Sequence, residues 1–312
     1  MVSVGERYKA VVARRTLNMH RTLLFVGVVA LNAACSSSPN TPAADAASDA
    51  LLAIDAPRTP DAAPVVGSGG SGGITCTSTA TVAGRRLCVA SAGGAEFRFI
   101  EPPAAPGPLR LVVYTHGDGA RAYASDSAIK ALLPWADAHH ALTVAVLAPN
   151  KCAWWQVPSQ TDCSPTATPV SDDAGVNADA LKAVLDLFRA KYNVALTQNY
   201  FYGASGGSIF LTKSFLRKFG DVYPGAYALN CGGETPALAF AWNHADAALR
   251  SVTKLYFTYG DMDFLKPDIE LAIPFFMNAG FPIDQKVIVN AQHCGFDAHG
   301  RAVEVFATYT GN

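Results

Sequence analysis

The sequence predicts an α/β fold built on a mostly parallel central sheet with helices on both faces. Three observations carry that expectation. From Thr75 onward, short and nearly continuous apolar runs alternate with amphipathic stretches, the pattern of parallel strands buried on both faces and joined by crossover helices. One apolar run ends in the small-residue turn Gly203-Ala204-Ser205-Gly206-Gly207 and opens directly into a helical stretch. Several polar residues able to do chemistry fall just past strand ends, which in such a sheet gathers them along one edge.

Taken in order, residues 109–114 form the first strong strand, followed by Thr115-His116-Gly117-Asp118-Gly119. A helix over 126–138 is expected to be disturbed at Pro134, which has no N–H to donate. Residues 142–148 make the next buried strand. Ser171, Asp172 and Asp173 offer caps for a helix reaching Tyr192, with Leu181, Val184, Leu185 and Phe188 on one face. The run 200–202 leads into the glycine turn, and further strands follow at 226–229, 254–259 and 286–289. His116, Ser205, Cys231, Asp263 and His293 each lie just beyond a strand end.

The amino terminus reads as an address. Arg14, Arg15, His20 and Arg21 precede an apolar run over 23–31. That run is shorter than the roughly 20 residues a membrane span needs, so residues 1–34 are expected to be an export signal, with Met19 an alternative start. Ala33-Ala34-Cys35 resembles the lipidation box of bacterial lipoproteins, which implies an outer-membrane or cell-surface protein anchored through Cys35; plain secretion is the alternative. Residues 35–74, rich in Ala, Pro, Ser, Asp and Gly, have too few apolar side chains to offset ordering entropy and are expected to be a tether. Residues 75–312 then form one catalytic domain.

Composition narrows the partners. The chain of 312 residues is 50% hydrophobic and 16% charged, with a formal net charge of -1. Nucleic-acid binding draws on clustered Lys and Arg that release counterions, and this balance supplies none, so no nucleic-acid partner is expected. Any membrane association should run through the lipid alone, and oligomeric state is not legible. Beyond Cys35, six cysteines remain: Cys76, Cys88, Cys152, Cys163, Cys231 and Cys294. An even number in an exported domain implies disulfides rather than metal. Proximity in sequence favours Cys76–Cys88 and Cys152–Cys163, leaving Cys231–Cys294. No C-x-x-C spacing is present, and His139-His140 reads as a solvated helix end.

A strand turning sharply into a helix around G-x-S-x-G is a nucleophile elbow, which holds a serine in a strained backbone conformation with its hydroxyl clear of the sheet. Serine needs a base, and the base needs an orienting carboxylate. In chain order Ser205 is followed by Gly260-Asp261-Met262-Asp263 and then Gln292-His293-Cys294. Asp263 is the expected acid, from its G-x-x-D spacing, with Asp261 as alternative; His293 is the expected base, with His299 as competitor. The backbone N–H groups of Gly206 and Asp118 are the expected oxyanion donors, and Gly117 or Gly119 could replace Asp118. An acidic side chain beside an oxyanion hole is electrostatically awkward, so either the Asp118 carboxylate points away or the assignment of its N–H as donor is wrong. His116, Trp154 and Trp155 are candidate substrate contacts, the tryptophans as a stacking surface or, for one of them, as packing under a disulfide-closed loop. Such chemistry requires no metal or other cofactor.

The blocks 172–176, 192–194 and 202–207, together with Pro224 and the acid loop from Gly260 to Pro267, resemble one branch of the α/β-hydrolases. That branch holds extracellular polyhydroxybutyrate depolymerases, feruloyl esterases and acetyl xylan esterases. The resemblance covers roughly 109–296 and implies a serine esterase acting on polymeric or plant-derived esters. The sequence departs from the branch at Asp118, where a Cys is common, and at Asn199-Tyr200, where Arg-Val is common. Two other readings stay open: a serine peptidase of prolyl-oligopeptidase type, and a silent hydrolase fold used as a binding module.

Overall fold

The computed structural model describes residues 69, 72–104, 106–164, 166–239 and 247–310. The expected signal over 1–34, Cys35 and nearly all of the tether therefore lie outside the described residues. The last residues assigned to the tether belong with the domain: the Gly72 N–H donates to the Lys191 carbonyl at 2.8 Å.

The described strands open on an antiparallel meander of β1 (Ser78–Val82), β2 (Arg85–Ala92) and β3 (Ala95–Ile100). Its turns are Ala83-Gly84 and Gly93-Gly94, with φ of 49°, 74°, 57° and 81°. Two-residue loops with positive φ at both positions match the twist of the strands they join. The meander gave no buried period in the sequence because most of β1 is exposed, but these glycine pairs were a usable signal.

The remaining strands are β4 (Leu109–Thr115), β5 (Ala141–Val146), β6 (Val194–Ala204), β7 (Gly225–Asn230), β8 (Lys254–Gly260) and β9 (Ile283–Ile288). All nine described strands form one sheet in the order β1-β2-β3-β5-β4-β6-β7-β8-β9. Pairing is parallel from β5 through β4 to β9 and antiparallel from β1 to β5. The mostly parallel sheet expected from the apolar runs is what forms.

A short helix α1 (Arg121–Ala124) leads into α2 (Ser127–Ala138), which runs unbroken through Pro134. The proline sits at an exposed position, so its missing N–H leaves the buried face of Ile129, Leu132, Leu133 and Trp135 intact. Helix α3 (Val176–Lys191) starts after Gly175, whose φ is 71°. Its first orphan N–H groups are satisfied by Asp172, which accepts from Val176 at 2.9 Å and from Asn177 at 2.8 Å. The expected cap is therefore real, although the helix begins later than Asp173.

Alternation along β6 divides the core. Tyr200 and Tyr202 face one way, where Tyr200 meets Trp135 of α2 at 4.8 Å and Phe306 of the carboxy-terminal helix at 5.3 Å. Phe201 faces the other way, stacked on Tyr227 at 4.5 Å. On α3, Phe188 packs edge-on against Phe97 and Phe99 of β3 at 5.4 and 5.2 Å. Burying each such ring is worth roughly 1.5–3 kcal/mol. These two layers fix the sheet, and the sheet fixes where its loops end.

Candidate active site

At the end of β6 the chain reverses into helix α4 (Gly206–Phe210), with Ser205 at φ 51° and ψ -118°. A non-glycine residue in that region stores roughly 1–3 kcal/mol of strain, held here by neighbours on both sides. The Ser205 N–H donates to the Asn230 carbonyl at 2.9 Å, at the end of β7. Gly203 and Gly207 have no room for a side chain: a Cβ on Gly203 would lie 2.7 Å from the Ser208 backbone, and one on Gly207 would collide with the Thr115 carbonyl. This is the turn that the G-x-S-x-G spacing predicts.

The loops after β8 and β9 bring Asp263 and His293 to the same place. Ser205 Oγ lies 2.9 Å from His293 Nε2, and His293 Nδ1 lies 2.8 Å from Asp263 Oδ1. Asp263 is only 4% exposed and is held by the Leu265 N–H, which donates to Oδ1 at 2.9 Å. Asp261 instead donates its own N–H to the Ile288 carbonyl at 3.0 Å. The Phe264 ring lies 4.4 Å from the His293 ring, tilted by 42°, and backs the imidazole. His299 belongs to another cluster, with Nδ1 at 2.9 Å from the Tyr202 hydroxyl and Nε2 at 3.2 Å from Ser127 Oγ.

Disulfides join Cys76 to Cys88, Cys152 to Cys163 and Cys231 to Cys294. The last ties the strand end after β7 to the residue next to His293. Cys231, His293 and Cys294 have side-chain donors within 4.8 Å of one another, but the two sulfurs are bonded together, so this cluster offers no thiolates for a metal.

Around the nucleophile the structure revises several expectations. His116 does not face a substrate: it is fully buried, its Nε2 accepts from the Ala148 N–H at 3.0 Å, and its Nδ1 lies 2.8 Å from the Gly117 carbonyl. Those two bonds define a neutral tautomer, and burial pushes the imidazole down to about 4. His116 anchors the loop. Trp154 is likewise fully buried, stacked on Phe210 at 4.6 Å, and is packing rather than a stacking surface. Trp155 is buried as well, at 7% exposed, with its indole Nε1 3.0 Å from both Asp118 carboxylate oxygens. Gly119 drops out as an oxyanion donor because its N–H goes to the Cys152 carbonyl at 2.8 Å.

Asp118 does not point away. Its carboxylate lies over Gly206, where an added Cβ would collide with Oδ1, and both of its oxygens sit 3.0 Å from Trp155 Nε1. Asp118 is nonetheless an exposed residue. Desolvation by the adjoining loops pushes its carboxyl up to about 6, opposed by the Trp155 N–H and then by His293. Its direction was illegible because sequence fixes that a loop exists, not which way a side chain in it turns.

One supporting residue gave no local signal. Lys213 is 4% exposed on the helix beyond the elbow, and its Nζ lies 3.0 Å from Ser171 Oγ, Asp173 Oδ1 and Glu234 Oε1. Its partners are far away in sequence, so no spacing could reveal it. The ion pairs bind that helix to the loops before α3 and after β7.

The sheet order and the strand–turn–helix at Ser205 define an α/β-hydrolase fold. No protein-family model matches the chain, and no curated protein matches it either. Among solved structures the chain is similar to a thermostable esterase, at 17% identity and a TM-score of 0.48 over 70% of this chain and 60% of that one. It therefore spans less than two thirds of that esterase. It is also similar to the hyperthermophilic esterase from the archaeon Pyrobaculum calidifontis, at 16% identity and a TM-score of 0.49 over 72% of this chain and 83% of that one. A ferulic acid esterase gives 12% identity and a TM-score of 0.48, over 72% of this chain and 96% of that one.

Proposed function

We propose that this chain is an exported serine hydrolase that cleaves carboxylic esters through an acyl-serine intermediate on Ser205. The observation that carries the proposal is the continuous hydrogen-bonded series from Ser205 Oγ through His293 to Asp263. Ser205 Oγ attacks the ester carbonyl and gives its proton to His293 Nε2, which passes it to the leaving alcohol as the C–O bond breaks. Water, activated by the same nitrogen, then attacks the acyl-serine and releases the acid. Asp263 holds the imidazole with Nδ1–H toward it and stabilises the imidazolium. Backbone N–H groups at Gly206 and at Gly117 or Asp118 stabilise the oxyanion.

Polymeric or plant-derived esters are proposed as substrates on the sequence resemblance; Trp155, 7% exposed with its indole N–H against the Asp118 carboxylate, packs beside the nucleophile. Three disulfides suit an oxidising compartment, in line with the amino-terminal export signal and a lipid anchor at Cys35. No helix among the described residues is long and apolar enough to cross a membrane.

A panel of p-nitrophenyl and feruloyl esters beside short peptides tests the proposal. Ester turnover that disappears in Ser205→Ala is expected. Turnover confined to peptides, or undiminished in the alanine variant, would overturn it.

A further inference from the structure

The sheet has two outer edges, and they differ in chemistry. At one, β1 presents Ser78, Thr79, Ala80 and Thr81 to solvent, without a charge or a large apolar side chain. At the other, β9 is the last of the described strands and runs Ile-Asp-Gln-Lys-Val-Ile, with Gln285, Lys286 and Val287 exposed. The Pro282 and Ile288 carbonyls both accept from the β8 side, from the Leu255 and Asp261 N–H groups at 3.0 Å. Backbone groups alternate in direction along a strand. The N–H and C=O of Ile283, Gln285 and Val287 therefore point outward to the open edge, a template for another strand.

Side chains alternate as well. Gln285 Nε2 donates to the Tyr259 hydroxyl at 3.2 Å, and that hydroxyl meets Glu270 of the helix Lys266–Asn278. Ile283, Gln285 and Val287 thus lie on that helix's face of the sheet. Lys286 lies on the opposite face, 3.5 Å from Glu304 of the carboxy-terminal helix, and Asp284 shares its face. On the first face Val287 is 38% exposed. Met277, two turns on from Glu270 and on the same side of its helix, is 57% exposed. The open edge thus joins an apolar rim to one acid and one base.

We infer that β9 is the seam of a symmetric dimer, pairing antiparallel with β9 of a second copy about Gln285. The register selects the partner. Centred on Gln285, the outward groups of Ile283, Gln285 and Val287 exchange hydrogen bonds with those of Val287, Gln285 and Ile283 of the partner subunit. Asp284 then stands opposite the partner's Lys286, and Lys286 opposite the partner's Asp284, in the closer pairs that exchange no backbone bond. Centred on Asp284, the same edge sets carboxylate on carboxylate; centred on Lys286, it sets ammonium on ammonium. A lone edge lysine ordinarily repels a second strand. This one meets its own complement under two-fold symmetry, as an isologous contact requires. Ile283 falls against the partner's Val287 on the helix face, which covers the exposed valine. Antiparallel pairing sends the two Ser205 edges in opposite directions, so neither site needs the other copy, and the dimer does not depend on the esterase reading.

Cysteine cross-linking of the full chain tests the register. Gln285→Cys sets its sulfur beside the two-fold axis, at a Cα spacing of about 5.5 Å from its equivalent, which suits a disulfide. A covalent dimer is expected on mild oxidation. Asp284→Cys alone should give none, and Asp284→Cys mixed with Lys286→Cys should give it again. Sedimentation velocity supplies a second readout that needs no added cysteine. Wild type is expected at twice the mass of one chain. Lys286→Asp, which sets acid on acid at both ends of the seam, should weaken self-association at least about tenfold, and Asp284→Lys/Lys286→Asp should recover it. If Gln285→Cys does not fold, the charge variants decide. A wild type that sediments as one chain, a dimer indifferent to Lys286→Asp, or a folded Gln285→Cys chain that stays uncrosslinked would overturn the inference.

Discussion

At the scale of single residues, the site turns on which carboxylate meets the base. Asp263 is 4% exposed and accepts from both His293 and the Leu265 backbone, so its orientation is fixed before any substrate arrives. Asp263→Asn would offer His293 an amide where it needs a carboxylate and should lower kcat by up to about 10⁴-fold, the scale of the same change in Ser-His-Asp proteases. Asp261→Asn should stay within a few-fold of wild type in the same assay; the reverse ranking would move the acid. The G-x-x-D spacing pointed to the carboxylate that the fold brings against His293, and its role as the catalytic acid is part of the proposal. Not legible were the burial of His116 and Trp154 and the aim of Asp118. Each depends on what packs against it from a distant segment: the Ala148 backbone on His116, Phe210 on Trp154 and the Trp155 indole on Asp118.

At the scale of elements, the Cys231–Cys294 bond joins the end of β7 to the loop that presents His293. Both cysteines have positive φ, 45° and 50°, so the loop is held in a conformation that an unconstrained chain would leave. A disulfide of this kind contributes roughly 2–4 kcal/mol to stability. The larger effect should fall on rate, since a displacement of about 1 Å can cost around 100-fold. Reduction, or Cys294→Ser, is expected to lower turnover further than a thermal midpoint shift of a few degrees would suggest. Equal activity in the folded serine variant would assign the bond a purely structural role. Elements were readable where a helical period or a continuous apolar run was strong, as in α3 and β8. The antiparallel meander was not, because a strand such as β1, exposed at four positions before Val82, has no buried face to give it a period. Only the paired turn residues Ala83-Gly84 and Gly93-Gly94 could have announced it. Helix α2 was expected to falter at Pro134 and did not, because the proline faces solvent and the packing of Trp135 and Leu132 on the sheet outweighs one lost hydrogen bond.

At the scale of the whole molecule, a parallel sheet collects the ends of β4, β6, β7, β8 and β9 along one edge, and His116, Ser205, Cys231, Asp263 and His293 follow those ends. That gathering was legible before any contact was known, because it needs only the strand direction and the chain order. The amino-terminal segment before the domain is expected to decide where this edge works. Cys35→Ala should release the protein from a membrane fraction or block its maturation, and mass spectrometry of the mature amino terminus would show a lipidated Cys35; an unmodified terminus elsewhere would make the protein simply secreted. The central claim is that Ser205 is a nucleophile activated by His293. Mass spectrometry after treatment with a fluorophosphonate tests it most directly. One adduct per chain is expected, mapping to the peptide that carries Ser205 and forming far more slowly in a folded His293→Ala variant. An unlabelled wild type, or an adduct on any other residue, would contradict it.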